Sequence, residues 1–144
     1  MSQLQVKRVS AMPDRFRVDD DSGGAVLLGA RCHSCHSAFL GSVRFCRRCT
    51  SDDLEAVELS RQGTLHSYTV VHRAGGTWKG PEPYALGEVL LPEGVLVASR
   101  VVDWEEGEEL ELGAAYELTS EVVDQDEEGS EIAIYRWRRP AGGA

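Results

Sequence analysis

The chain has 144 residues, 42% apolar and 27% charged, with a formal net charge of −9. That length suits one or two small domains of a soluble globular protein, no apolar run approaches the roughly 20 residues that span a bilayer, and Met1 to Phe16 lacks the apolar core of a secretory signal, so a cytoplasmic location is expected. The acidic balance argues against a nucleic-acid binder, whose affinity rests on neutralising phosphates with Lys and Arg.

Ser2 to Asp21 mixes polar and apolar residues around Pro13-Asp14. Pro is tolerated in a first helical turn, so a short helix on one or both sides of Pro13 is expected. Asp19 to Gly24 reads as a turn or linker, and residues 1–24 are taken as an N-terminal helical segment with its linker.

Ala25 to Arg31 (AVLLGAR) is a short apolar run leading into the feature that organises the chain. All four cysteines lie between Gly29 and Thr50, as Cys32-x2-Cys35 and Cys46-x2-Cys49 with ten residues between the pairs. Two such pairs at short separation have the spacing of a four-thiolate tetrahedral metal site. Zinc, or iron in the same cage, is the expected ion; two disulfides or four unrelated thiols are the alternatives. A reducing cytosol would leave the thiols free to bind metal. Four thiolates complete the shell, so the ion is expected to be structural, one per chain. Residues 25–54 thus read as a zinc ribbon, in which Phe39, Leu40, Val43 and Phe45 are expected to cover the metal.

Ribbon knuckles commonly place Gly after the second cysteine, where a positive φ is convenient. Here His36 and Thr50 stand there. β-branched Thr accepts that region poorly, so the second knuckle is expected to turn differently. His33 and His36 read as surface residues, because four thiolates already satisfy the ion. The ribbon carries Arg31, Arg44, Arg47 and Arg48 and no acid, whereas Val101 to Tyr135 carries thirteen acids and no Lys or Arg.

Ser51 to Ser60 reads as a polar connector. From Arg61 onward short strands alternate with turns: Thr64–His72, Tyr84–Leu91, Val95–Val102, Ala115–Val123 and Glu131–Arg138. Pro92-Glu93-Gly94 has hairpin chemistry. Asp103 to Gly113 is too rich in Gly and acids for a long helix and is expected to tuck in Leu110 and Leu112. Five short strands point to a small Greek-key barrel, the OB-fold, over residues 55–144. The fold class is therefore mainly β: a short N-terminal helical segment, a rubredoxin-like zinc ribbon and a C-terminal five-stranded OB-fold barrel.

The loop Arg73 to Pro83 (RAGGTWKGPEP) is long and holds Trp78 and Lys79. Long loops in compact domains are often functional, and Trp is enriched where partners bind. Trp78 either folds back as a lid or grips a ligand or partner, with His72, Arg73 and Lys79 able to meet anionic groups. Arg47 and Arg48 are either solvated charge or contacts to anionic groups or to an acidic partner face.

Taken together these motifs resemble a family of small zinc-ribbon plus OB-fold proteins associated with acyl-CoA enzymes, partners of thiolase-type enzymes and lipid-transfer-protein aldolases. The resemblance is carried by Gly29 with Cys32 and Cys35, by Cys46 and Cys49, and by Arg61 to Arg73 with Gly63-Thr64 and Ser67-Tyr68-Thr69. It continues through Pro83-Tyr84, the hairpin Leu90 to Gly94, Gly113 and the closing Trp137-Arg138-Arg139-Pro140, and so covers roughly residues 15 to 140. His36, Thr50 and Trp137, where the family more often has Phe, depart from its pattern.

The resemblance implies a non-catalytic small subunit with no activity alone, docked on a thiolase-fold catalytic subunit as a heterotetramer with two copies of each. The complex would make or break a C–C bond on an acyl-CoA. This chain would stabilise the partner and help form the pocket for a CoA thioester shared between them. No nucleophile-base-orienter set stands out in the sequence, and no catalytic residue is nominated. Neither nucleic acid nor membrane is an expected partner; a nucleic-acid-binding ribbon and barrel module is the alternative, since both folds serve that role elsewhere.

Overall fold

The computed structural model describes residues 7–19, 24–76, 78 and 80–140. Among these the chain forms ten strands and no helix: β1 (Arg8–Ser10), β2 (Phe16–Val18), β3 (Ala25–Cys32), β4 (Ala38–Leu40), β5 (Leu54–Glu58), β6 (Gln62–Val71), β7 (Tyr84–Leu90), β8 (Leu96–Arg100), β9 (Ala115–Gln125) and β10 (Glu131–Arg138). The helix expected around Pro13 is replaced, over the described residues, by β1, a turn and β2. Arg15 and Phe16 amides bond the Met12 carbonyl across the turn. The physical reason is pairing: β1 lies parallel to β10, and β2 antiparallel to β3, so long-range ladders satisfy a backbone that an isolated helical turn could not. The remainder of that expected segment, residues 1–6 and 20–23, lies outside the described residues.

One sheet runs β1-β10-β9-β6-β7-β8. Its five strands after β1 are those read in the sequence. They close as a barrel where Val101, just past β8, makes a parallel bridge to Trp137 of β10. The mainly β architecture with an OB-type barrel is therefore present. Each strand buries alternate residues: Ala85, Val89, Val97, Tyr116, Leu118, Ala133, Tyr135 and Trp137 point inward. Trp137 is fully buried and donates from Nε1 to the Val97 carbonyl at 3.0 Å. Gly63 has a steric reason: a Cβ there would run into the Leu90 carbonyl across the β6–β7 pair.

The second sheet is the ribbon. β3 lies between β2 and β4 and also pairs with β5. The segment expected to be a polar connector is thus a strand from Leu54 to Glu58, in register with Leu28 to Cys32. Gly29 is required because a Cβ would strike the Phe39 carbonyl on β4. β3 serves both parts. Ala25 and Leu27 join Phe16, Leu59 and the barrel residues in one apolar cluster, while Cys32 at its other end faces the thiol group. Phe16 meets Tyr135 edge-on at 5.3 Å. Two expected buried positions are exposed instead: Leu112, beside a buried Leu110, and Phe45, which does not cover the metal site. Leu112 lies within a turn and Phe45 within a bend, outside the paired strands.

Candidate metal centre and barrel face

Each Cys-x-x-Cys pair sits on a tight turn with the same hydrogen bonds. In the first, the His36 amide bonds the Cys32 carbonyl at 2.9 Å and the Cys32 amide bonds the Ser37 carbonyl at 2.9 Å. In the second, the Thr50 amide bonds the Cys46 carbonyl at 2.9 Å and the Cys46 amide bonds the Ser51 carbonyl at 2.8 Å. Both residues after the second cysteine adopt φ 65°. The second knuckle therefore does not turn differently. The turn is dictated by the need to aim two sulfurs at one point, and Thr50 accepts the left-handed conformation despite its branched Cβ.

All four Sγ atoms lie within 4.8 Å of one another. Cys32 and Cys49 are 3.5 Å apart, as are Cys35 and Cys46, and all four are free thiols. A disulfide needs about 2.05 Å. A tetrahedral ion with about 2.3 Å bonds to sulfur sets its ligands about 3.8 Å apart. The spacing fits a metal ion and not a disulfide. Amides of Arg48 and Cys49 point at Cys46 Sγ at 3.3 and 3.4 Å, a pattern that stabilises thiolate. Hydrogen bonds from the Ser37 side chain and backbone hold the Cys35 thiol down at about 6. The Cys35 amide, followed by that of Ser34, also lowers Cys32. The Ser51 amide favours ionised Cys49, but burial and the three neighbouring sulfurs outweigh it and push that thiol up to about 12.

His33 and His36 are both exposed. His33 is turned away from the sulfurs: Nδ1 meets Asp53 at 3.0 Å and Nε2 meets Glu55 at 2.9 Å, and these partners, Glu55 first, raise its pKa.

The structure does not gather the expected contact residues into one site. Arg47 and Arg48 are exposed on the second knuckle, and Arg47 lines a cleft with Arg15, Phe39 and the hairpin residues Gly94 to Leu96. His72 lines a different cleft, whose far wall holds Glu106, Glu108 and Glu109, surroundings that suit a cation better than a phosphate. Arg73 is exposed in the β6–β7 loop, and Lys79 lies outside the described residues. Trp78 is half-buried. It stacks on Tyr84 with centroids 4.5 Å apart at 28°, and its Nε1 donates to the Pro81 carbonyl at 3.1 Å.

Behind Trp78 is a cavity of about 770 Å³ lined by Arg100, Glu121, Val122, Ile134 and Arg136. The sequence reading nominated none of these. Arg136 is buried although it lies on a strand whose neighbours Tyr135 and Trp137 are buried too, which no period-two pattern reports.

Three comparisons bear on this arrangement. The family described as "ChsH2, C-terminal OB-fold domain" matches residues 56–128. The chain is similar to a DUF35 domain-containing scaffold protein of Methanothermobacter thermautotrophicus, with 31% identity over 108 residues covering 74% of this chain and 80% of that one. It is also similar to the benzoylsuccinyl-CoA thiolase subunit BbsA of Thauera aromatica, 27% identical over 131 residues, covering 88% of this chain and 85% of the relative. Among solved structures, a chain of an Ltp2-ChsH2(DUF35) aldolase superposes with a TM-score of 0.56 at 24% identity, covering 77% of this chain and 84% of that one, a likeness of fold. Half the chain matching the OB-fold model, and a scaffold relative above 30% identity aligned across most of both sequences, place this chain in the DUF35 family.

Proposed function

We propose that this chain is a non-catalytic small subunit of a thiolase-like acyl-CoA enzyme complex, stabilising the catalytic subunit and helping form its CoA and acyl pocket. The observation that carries the reading is the alignment over 88% of this chain with a protein named as a thiolase subunit. Relatives named as scaffold proteins point the same way. The metal site agrees: four thiolates complete a tetrahedral shell and leave no position for substrate. The ion we assign to Cys32, Cys35, Cys46 and Cys49 is zinc, whose role there is to hold two knuckles together.

Within this reading the working units are an N-terminal segment (1–24), the ribbon (25–54) and the barrel (55–144). Two copies sit on a thiolase-fold dimer, because a two-fold dimer offers two equal docking sites. Arg47 and Arg48 on the ribbon, with His72, Arg73, Trp78 and Lys79 at the barrel loop, are the proposed contacts to the partner or to CoA, in the cytoplasm.

The test is a tagged pull-down from the native host at modest salt, followed by activity assays of the isolated and recombined subunits. Recovery of a thiolase-fold or aldolase protein in near-equal amount, silent until this chain is added, is the expected result. A partner fully active and stable alone, or recovery of nucleic acid instead, overturns it.

A further inference from the structure

The cavity behind Trp78 contains an ion cluster that the subunit reading does not use. Glu121 bonds Arg100 Nη1 through both its oxygens, at 2.8 and 3.0 Å, and bonds Arg136 Nε at 2.8 Å. One carboxylate thus answers two guanidinium groups, with side chains only 14% and 10% exposed. The cluster carries a net positive charge largely out of water, where a missing counter-charge is expensive. Asp124 also lines the cavity but is exposed, with Oδ1 accepting the Gln125 amide at 2.8 Å.

The arginines are held in place and incompletely used. Arg136 is fixed from behind by Ser99 Oγ at 3.4 Å, and Ser99 in turn donates to the Tyr135 carbonyl at 2.7 Å. Arg100 Nε is sealed without a partner. The Nη2 atoms of Arg100 and Arg136 make no hydrogen bond among the described residues; both arginines line the cavity, and Arg100 also borders a neighbouring cleft with Glu82 and Glu106. Apart from Asp124 and two glycines, the other walls are apolar: Val122, Val123, Ile134 and the half-buried Trp78, whose ring leans on Tyr84. The volume lies within the range of small-molecule sites.

We propose that this cavity binds a small organic anion, with a carboxylate or phosphate between Arg100 and Arg136 and an apolar body against Trp78, Val122 and Ile134. Guanidinium edges recognise both anions through paired N–H donors, and the aromatic wall suits a flat or aliphatic body. Trp78 is shared with the subunit reading, but the test is made on the metal-loaded chain alone, so the two readings fail separately.

The experiment is a titration of that chain with benzoate, phenyl phosphate and the neutral benzamide, following the indole N–H resonances and the Arg Nε resonances by NMR. Saturable shifts at Trp78 and Arg136 with either anion, and at least tenfold weaker with benzamide, are expected. The stronger of the two anions tells a carboxylate ligand from a phosphate one. Arg100→Gln weakens binding by about tenfold or more, as loss of a charge-assisted hydrogen bond implies. Glu121→Gln removes the internal competitor and tightens it, whereas a purely structural ion cluster would only lose stability. No saturable shift, equal shifts with benzamide, or no tightening in a folded Glu121→Gln protein overturns the proposal. If neither variant folds, the comparison of anions with benzamide on the unmodified chain decides it.

Discussion

The ribbon and the barrel meet the same backbone demand with different residues. Both contain turns in the left-handed region. In the barrel these positions are glycines: Gly76, Gly94, Gly107, Gly113 and Gly129. At the two ribbon knuckles they are His36 and Thr50, although the ribbon also uses a glycine, Gly41, in the turn between them. A barrel turn is stabilised by little beyond its own hydrogen bonds, so the residue must suit the conformation. At a knuckle the sulfur–metal bonds of the proposed ion would override an unfavourable residue, because strain persists where surroundings over-determine it. The cores divide likewise. The barrel has Trp137, Tyr116, Leu65, Val89 and Val97 fully buried, while beyond Leu27 the ribbon's most buried side chains include Cys32 and Cys46 themselves. One part is held by apolar area, the other by a donor set.

The largest test of that contrast is metal removal. Structural zinc contributes on the order of 10 kcal/mol to the folding of small knuckle domains. Chelation, or Cys46→Ser, is expected to abolish amide-exchange protection in β4 and β5 while Trp137 stays buried, as its fluorescence would report. Simultaneous loss of the barrel would show that β3 couples the two parts into one folding unit. Next in size, Trp137→Ala is expected to cost about 3–5 kcal/mol as a core cavity with metal content unchanged; metal analysis and denaturant unfolding check both halves.

A smaller effect is electrostatic. Burial alone would raise the pKa of Glu121, but the Arg136 hydrogen bond and the fields of Arg100 and Arg136 win and leave it lowered. A lowered folded-state pKa contributes stability that is present above the unfolded value, about 4.3 for Glu, and lost as pH falls through the folded one. The stability difference between the unmodified chain and Glu121→Gln is therefore expected to be constant above about pH 5 and to shrink below it. A difference that persisted into acid would mean the carboxylate is not ionised in the fold. The smallest effect is Thr50→Gly, expected to gain about 1 kcal/mol by relieving φ 65° with metal retained. A loss there would show that the Thr50 hydroxyl, 2.6 Å from the Cys49 carbonyl, outweighs the strain.

Much of this was legible in the residues. The Cys-x-x-Cys spacing announced a four-sulfur site because two knuckles need few residues to present two sulfurs each, and short β-rich runs bounded by turn residues announced five barrel strands. Glu131–Arg138 even matches its strand end to end. The misses share a cause. β1, β2 and β5 are short, and their residues carry little periodicity; they are strands because β10 and β3 offer partners. Leu112 and Phe45 are apolar yet exposed, since burial depends on a facing layer that no local pattern contains. Trp78 leaning on Tyr84 likewise depends on a loop path that brings them together.

By itself, then, the sequence determined the four-cysteine cluster, the barrel class and the order of the parts, since those depend on local spacing and turn chemistry. Only the tertiary structure decided that β3 joins ribbon to barrel and that Arg100, Glu121 and Arg136 meet behind Trp78. Those residues come from three strands, and closure of a curved sheet is what brings them within hydrogen-bonding distance.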